Sequence, residues 1–436
     1  MSRINYEEAL DRVLEHISPL TAENKLLTAC TGQVLAENIH ADYNLPSFTM
    51  ASPDGYAVRS ADISEASENN PVLLQVVGTA RAGYIPSERV ASGTAMRIMT
   101  GSPIPADADC VVPFEETDEP GNKNGPNPQK VTTVLVKKAV KAGDNIKFAG
   151  SRVKAGESIL PQGIPIGPAQ IAVLGSLGKS QVKVIRRPLI AIIATGDELV
   201  KLGESLAPGK VHDANSPALA ALLSHYGAVP RILGIAKDNP RSLKAKLQRA
   251  LTFADAIITS GGVSKGDYDL VRLLAGELGK VFVEGINMGP GASFSFAMLR
   301  RDVSVMDTAK ISGETKTFAT NVPLFGLSGP TVGCLNNFEI LVRPALLKMM
   351  GHRNVCHPTV TASAKGVTAG KKAMSAVHWT QLELTNNGYR VDLSANDAGR
   401  SFAAIGLGDS LTIVPAGQEI SEGDQIQVLP LHWTCL

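Results

Sequence analysis

Between Asp255 and Asp269 the chain reads Asp-Ala-Ile-Ile-Thr-Ser-Gly-Gly-Val-Ser-Lys-Gly-Asp-Tyr-Asp, an order that few folds accommodate. Ala256 to Thr259 is an apolar run of the length and composition of a strand buried on both faces. A glycine-rich loop follows, two carboxylates close it, and Leu270-Val271-Arg272-Leu273-Leu274 resumes at helical spacing. Strand, loop and helix in that order put the loop at the carboxyl end of a strand in a parallel sheet, where open α/β sheets bind ligands. Glycines let the backbone approach an anion, and successive N–H groups at a helix start cradle phosphate. Asp267 and Asp269 suit a hard cation such as Mg²⁺ beside that phosphate. The competing reading is a tight turn whose acidic residues only face the helix N-terminus.

The flanking sequence repeats the pattern from residue 188 onward. Leu189 to Ala194 is a continuous apolar strand, followed by Thr195-Gly196-Asp197-Glu198-Leu199. A helix is expected from Asp213 to Tyr226, capped by Asp213 or Asn215, then a strand over Arg231–Ile235. Asn239-Pro240 opens the helix Leu243 to Phe253, and Lys280–Val283 is the next strand. Strands alternating with helices of about 12 residues imply a doubly wound parallel sheet. The Thr195–Glu198 and Ser260–Asp269 loops both follow buried strands, so they share one edge of that sheet. Asp197, Glu198, Asp267 and Asp269 then stand beside glycine-rich backbone, a set suited to metal and phosphate.

Around this core the chain is richer in turns. Tyr6, Leu10, Val13, Leu14 and Ile17 share a helical face with Asn5 as N-cap. Leu45 to Val58, with two prolines and Asp54-Gly55, is an extended loop entering a strand; Asp54 in isolation is a turn former before it is a catalytic group. Residues 72–140 alternate β-like runs with turns and form a small β-domain, with a surface hairpin at Pro120 to Pro128. From about residue 354 a final small sheet or barrel is expected, with strands at Leu411–Val414 and Gln425–Val428. The fold class is therefore α/β plus β, a multidomain chain of 436 residues.

Charge excludes several functions. Forty-two Lys and Arg balance 41 Asp and Glu, leaving no field to recruit nucleic acid or a membrane surface. Cys30, Cys110, Cys334, Cys356 and Cys435 are dispersed and odd in number, without a CxxC pair, so inert reduced thiols are expected. No apolar run approaches the ~20 residues of a membrane span, and the acidic N-terminus is no signal peptide. A cytoplasmic protein is the expectation.

Taken together, the motifs resemble the molybdopterin molybdotransferase family, the MoeA and gephyrin E-domain proteins. The resemblance rests on Leu45-Pro46-Ser47-Phe48 before Asp54-Gly55-Tyr56-Ala57-Val58, Arg97-Ile98-Met99-Thr100-Gly101, and Pro103-Ile104-Pro105. It continues through Val111-Val112-Pro113 ahead of Glu115-Glu116, Gly143-Asp144-Asn145-Ile146, Thr195 to Leu199, Asp213-Ala214-Asn215 and Ser260 to Asp269. It implies an elongated four-domain homodimer, divided here as 1–27 with 45–52 and 144–182, 28–44 with 53–143, 183–347, and 348–436. The implied reaction inserts molybdate into adenylylated molybdopterin, releasing AMP, with Mg²⁺ assisting at the phosphates. By motif position Glu198 and Asp267 would hold Mg²⁺. Thr195, Gly196, Ser260, Gly261, Gly262, Ser264 and Lys265 would bind the pterin and its phosphate. Asp197 and Asp269 would position water, and Asp54 would reach the site from a neighbouring domain or subunit. The molybdopterin adenylyltransferase or an active paralogue is an implied partner.

The departures from the family fall on the site. Where the family carries Lys-Pro-Gly-Lys-Pro, this chain has Gly289-Pro290-Gly291-Ala292-Ser293, without either lysine. Leu-Pro-Gly-Asn-Pro-Val-Ser appears as Leu327-Ser328-Gly329-Pro330-Thr331-Val332-Gly333, and Gly-Glu-Asp as Gly150-Ser151-Arg152. The loop before Asp54, normally Asp-Asn-Ser-Ala-Met, is Thr49-Met50-Ala51-Ser52-Pro53, and Arg300 to Thr320 is longer and more polar than expected. Each charge-assisted hydrogen bond is worth ~1.5–3 kcal/mol, so two missing lysines weaken an oxyanion site by orders of magnitude unless Arg152, Lys265, Arg300 or Arg301 compensates. Two readings stay open: a working transferase with tolerated changes, or a catalytically altered or inactive paralogue that binds pterin, a related anion or a partner protein.

Overall fold

The computed structural model describes residues 3–119, 131–262, 270–306, 315–369, 373–393 and 402–431. The chain divides into two compact units, one of Met1–Glu37, Gln162–Ala172 and Lys179–Leu436, the other of Asn38–Pro161 and Val173–Gly178. The expected hairpin at Pro120 to Pro128 lies outside the described residues.

The smaller unit is built on a five-stranded sheet in the order Cys110–Pro113, Gly55–Val58, Thr94–Ile98, Val72–Ala80, Thr133–Val136. Gly55–Val58 is buried throughout because both faces are covered: Tyr56 and Val58 pack with Leu74, Val112 and Val134, and Ala57 with Met96, Ile98 and Val111. No residue with a Cβ fits at position 55, where it would collide with the Val112 carbonyl. This is the small β-domain that the turn-punctuated sequence predicts.

In the larger unit Tyr6–Glu15 is the amphipathic helix expected, with Asn5 Oδ1 accepting from the Glu8 N–H at 2.7 Å and Ala9 and Val13 facing the core. Its central sheet has six strands in the order Val229–Ala236, Leu189–Thr195, Ala256–Ser260, Thr315–Leu327, Ser295–Met306, Gly279–Glu284. Side chains along the buried strands alternate between two cores. Ile190, Ile192 and Ile258 pack with Leu219 and Leu223 of the Asn215–His225 helix, together with Phe325. Ala191, Ile193 and Ile257 pack with Leu243 and Leu247 of Pro240–Leu251 and with Val271 and Leu274 of Leu270–Leu278. Helices cover both faces, as a doubly wound sheet requires.

The sheet is mixed rather than wholly parallel. Four strands run parallel, but Ser295–Met306 pairs antiparallel with Thr315–Leu327, in register from Ser295↔Gly326 to Met306↔Thr315, and Gly279–Glu284 pairs antiparallel with it. The polar stretch from Arg300 to Thr320 hid these strands. Antiparallel pairing from Ser295↔Gly326 to Met306↔Thr315 satisfies the backbone of these strands whatever their side chains, so the charged and hydroxyl residues of the stretch gave no buried-strand run to read.

A seven-stranded sheet completes the larger unit, in the order Met288–Gly289, Ser375–Thr380, Ser410–Val414, Gln425–Pro430, Val360–Lys365, Gly388–Asp392, Leu382–Thr385. Val377, Trp379 and Leu411 belong to the same core cluster as Ile190 and Phe325, so this sheet is welded to the α/β part. No helix among the described residues is long and apolar enough to cross a membrane.

Candidate functional site

Parallel register brings the site together. Ala194 lies opposite Ser260 and Ser260 opposite Leu327, so three loops leave the sheet side by side at its carboxyl edge: Thr195–Glu198, Ser260–Gly262 and Ser328–Thr331. The Gly261 N–H donates to Leu327 O at 3.1 Å, and Thr195 Oγ1 donates to Ser260 O at 3.5 Å. The packing leaves no room for side chains. A Cβ at Gly261 would lie 2.5 Å from Thr195 O, and one at Gly262 would lie 2.7 Å from Thr195 Oγ1. Both glycines also have positive φ, +86° and +67°, a region that L side chains rarely enter.

The carboxylates divide by role. The Asp197 N–H donates to Asp238 Oδ2 at 3.0 Å and the Asp238 N–H returns a bond to Asp197 Oδ1 at 3.3 Å, so each side chain ties down the neighbouring loop. Lys210 Nζ donates to the Asp197 carbonyl. Glu198 is exposed and folds back over Gly196, where any Cβ would strike its carboxylate. Asp238 and Lys210 were not among the residues singled out from sequence, yet Asp238 follows its strand as Asp197 follows the next one. The carboxyl end of each parallel strand was the available signal.

The Asn215–His225 helix has Ala214 at its N-cap, neither Asp213 nor Asn215 as expected; Asp213, one residue earlier, still accepts the Ser216 N–H on its Oδ1 at 3.0 Å. Asn215 instead reaches sideways, its Nδ2 donating to Gly329 O at 2.8 Å. Gly329 in turn sits over Gly261, with only 3.7 Å between a Cβ built on it and Gly261 Cα. Farther along the rim, Ser328 Oγ donates to Ser293 O at 3.0 Å, joining the Gly289–Ser293 loop.

The structure thus brings together Thr195, Gly196, Asp197, Glu198, Ser260, Gly261 and Gly262 of the residues predicted from sequence. Ser264, Lys265, Asp267 and Asp269 lie outside the described residues. Asp54 belongs to the smaller unit, where its Oδ1 accepts from Thr100 N–H at 2.7 Å and from Thr100 Oγ1 at 2.8 Å, the turn-forming role open to it from sequence. Among the described residues no group of three His, Cys, Asp or Glu side chains is arranged to hold a metal.

Residues 4–178 match the MoeA N-terminal region (domain I and II), and residues 191–348 match a probable molybdopterin binding domain. A molybdopterin molybdenumtransferase of Nostoc is 33% identical over 414 residues, covering 93% of this chain and 88% of the relative. The chain belongs to this family. A second molybdopterin molybdenumtransferase, of Staphylococcus epidermidis, is 31% identical over 95% of this chain and 92% of its own length. The crystal structure of a molybdopterin biosynthesis MoeA protein from Pyrococcus horikosii superposes with a TM-score of 0.80 at 28% identity, covering 98% of this chain and 99% of that one. The family assignment read from the motifs is borne out, as is the α/β plus β class.

Proposed function

We propose that this protein is the transferase of molybdenum cofactor biosynthesis that inserts molybdate into adenylylated molybdopterin and releases AMP. The observation that carries the reading is the meeting of three glycine-bearing loops at the carboxyl edge of the sheet, in a chain alike to molybdenumtransferases over nearly its whole length. Backbone at Gly261 and Gly262 carries no side chain at this edge, which suits a phosphate or pterin phosphate lying against it. Thr195 and Ser260 fix the level of those loops, and the Asp197–Asp238 pair holds the adjoining one.

Mg²⁺ is part of the proposal. Glu198 fits a magnesium ligand: its carboxylate is exposed, and a hard cation that keeps several waters needs only one or two such groups. Asp267 is proposed as the second ligand, and Asp197, Asp269 and Asp54 keep the roles that the resemblance implies. When bound, the ion neutralises charge on the pyrophosphate. The four-domain division, a homodimer, the adenylyltransferase as partner and a cytoplasmic location belong to the same proposal.

One observation favours the second reading, a paralogue altered in its chemistry: Gly289 and Ala292 stand where the family resemblance places lysines. Purified protein given adenylylated molybdopterin, molybdate and Mg²⁺ separates the two. Molybdate-dependent AMP release supports the transferase; pterin binding without release supports the altered paralogue.

A further inference from the structure

The Gly289–Ser293 loop, which lacks lysine, is taken up by packing. Asn336 Nδ2 donates to Pro290 O at 2.9 Å, Asn337 Nδ2 donates to Gly291 O at 2.8 Å, and Gly291 lies against Gly333. A side chain that meets the substrate's phosphates with positive charge must therefore stand elsewhere on the carboxyl edge. Lys210 stands there, and the backbone puts it there. Ala207-Pro208-Gly209-Lys210 is a β-turn closed by the Lys210 N–H on Ala207 O at 3.0 Å. Proline at its second position and glycine at its third, with φ +79°, are the residues that a type II turn favours. Directly after the turn, Val211–His212 pairs in parallel with Leu199–Val200, and the Val211 N–H donates to Glu198 O at 2.9 Å. The strand thus starts level with the Thr195–Glu198 loop, and the Lys210 side chain crosses to it, Nζ donating to the Asp197 carbonyl.

That bond leaves both charge and donors in hand. The acceptor is a neutral carbonyl, so it does not neutralise the ammonium, and two of the three N–H groups have no acceptor among the described residues. Among the same residues no carboxylate lies within ion-pair distance of Lys210, and its side chain is exposed. The carboxylates of Asp197, Glu198 and Asp238 leave this edge acidic, and an anionic substrate that approaches it needs compensating positive charge. Lysine suits the task. It is a compact point charge on a flexible stem, and its charge-assisted bond to a phosphate oxygen is stronger than the bond it would leave on a carbonyl.

We propose that Lys210 is a binding residue for the diphosphate of the adenylylated substrate, exchanging the Asp197 carbonyl for a phosphate oxygen when the substrate lies against the Thr195–Glu198 and Ser260–Gly262 loops. The identity of that diphosphate rests on the transferase reading; the placement of the ammonium does not.

Three substitutions at this exposed position separate charge from hydrogen bonding. Lys210→Met removes both, Lys210→Gln removes the charge but keeps an amide that can donate to the Asp197 carbonyl, and Lys210→Arg keeps both. With the full-length protein and Mg²⁺ present, titration calorimetry with inorganic pyrophosphate is expected to show about tenfold weaker binding in the Met and Gln variants. Their binding should also depend less on added salt, and Lys210→Arg should stay near the wild type. In turnover, the KM for adenylylated molybdopterin is expected to rise about tenfold in the same two variants, with kcat changing by less than about twofold. Wild-type affinity in Lys210→Gln would overturn the proposal, because the side chain would then serve only as a hydrogen-bond donor to its own loop. A wild-type protein that binds no pyrophosphate would overturn it as well. Unchanged pyrophosphate affinity and KM in all three variants, with AMP still released, would overturn it while leaving the transferase standing. The expected loss of pyrophosphate affinity in the Met and Gln variants, with no AMP released even by the wild type, would support Lys210 as a phosphate ligand and remove the transferase.

Discussion

Asp197 and Asp238 cap each other's backbone: each donates its main-chain N–H to the other's carboxylate, at 3.0 and 3.3 Å, across two loops that follow neighbouring parallel strands. Removing one carboxylate frees both ends. Asp238→Ala is expected to cost roughly 1 kcal/mol of stability and to lower kcat/KM for AMP release by about tenfold, because the loop carrying Glu198 loses its lateral support. Asp238→Asn keeps an acceptor oxygen and should retain most of both. Thermal melts and steady-state kinetics on the pair of variants check this; equal losses in both would place the effect in the charge instead of the hydrogen bond.

Gly261→Ala is a sharper probe of the sheet's carboxyl edge. The added methyl would lie 2.5 Å from Thr195 O at a φ of +86°, so both backbone strain and collision oppose it. A cost of about 2 kcal/mol in stability is expected, with AMP release falling by about a hundredfold, since the Thr195 and Ser260 loops can no longer lie level. Gly329→Ala, whose Cβ would keep an ordinary 3.7 Å from Gly261 Cα, serves as the control and should be far milder. Denaturant unfolding and turnover of the two variants give the comparison.

How much of this could be read beforehand follows from what local pattern can express. Apolar runs at Leu189–Ala194 and Ala256–Thr259 flank their loops, so Thr195, Gly196, Ser260, Gly261 and Gly262 could be placed on one edge before any coordinates. The Asp197–Asp238 and Asn215–Gly329 bonds depend on strand order, which periodicity does not carry. Asn336 and Asn337 were illegible for a different reason. Two amides in a helix read as a solvated face, and only the fold shows them buried with most of their hydrogen-bonding groups engaged. The Ser295–Met306 and Thr315–Leu327 pair was missed because Arg300 to Thr320 is rich in charged and hydroxyl residues, and antiparallel pairing is a property of the backbone that such a stretch does not announce.

In the smaller unit, Arg97 and Glu119 form a two-pronged ion pair, Arg97 Nη2 lying 2.8 Å from Glu119 Oε1, with the guanidinium 4.5 Å from the Phe114 ring centroid. Tyr56 also donates its hydroxyl to Glu119. Burial pushes the Glu119 carboxyl upward, but the Arg97 and Tyr56 hydrogen bonds outweigh it and leave it below the usual carboxylate range. Arg97→Met strands that carboxylate, so a loss of about 3 kcal/mol is expected. Adding Glu119→Gln removes the orphan charge and should restore more than half of the loss. Chemical denaturation of the wild type, both single variants and the double variant measures the coupling directly; additive losses would show that the pair contributes no interaction of its own.

His352 gives the larger unit a pH dependence whose sign is determined. Burial, and after it the charge of Arg343, lowers its pKa from the ordinary histidine value of about 6.5. The folded state therefore favours neutral imidazole, and between the two values the unfolded chain binds more protons. The contribution to stability is complete above the unfolded value and is lost as pH falls through the folded one. Stability is expected to decline as pH falls below the ordinary histidine value of about 6.5, and His352→Gln should flatten that part of the profile while leaving the carboxylate-driven losses at lower pH in place. The difference between wild-type and variant unfolding free energies across that window isolates the histidine. A difference that shrinks with rising pH would reverse the sign and place a stabilising anion against the ring.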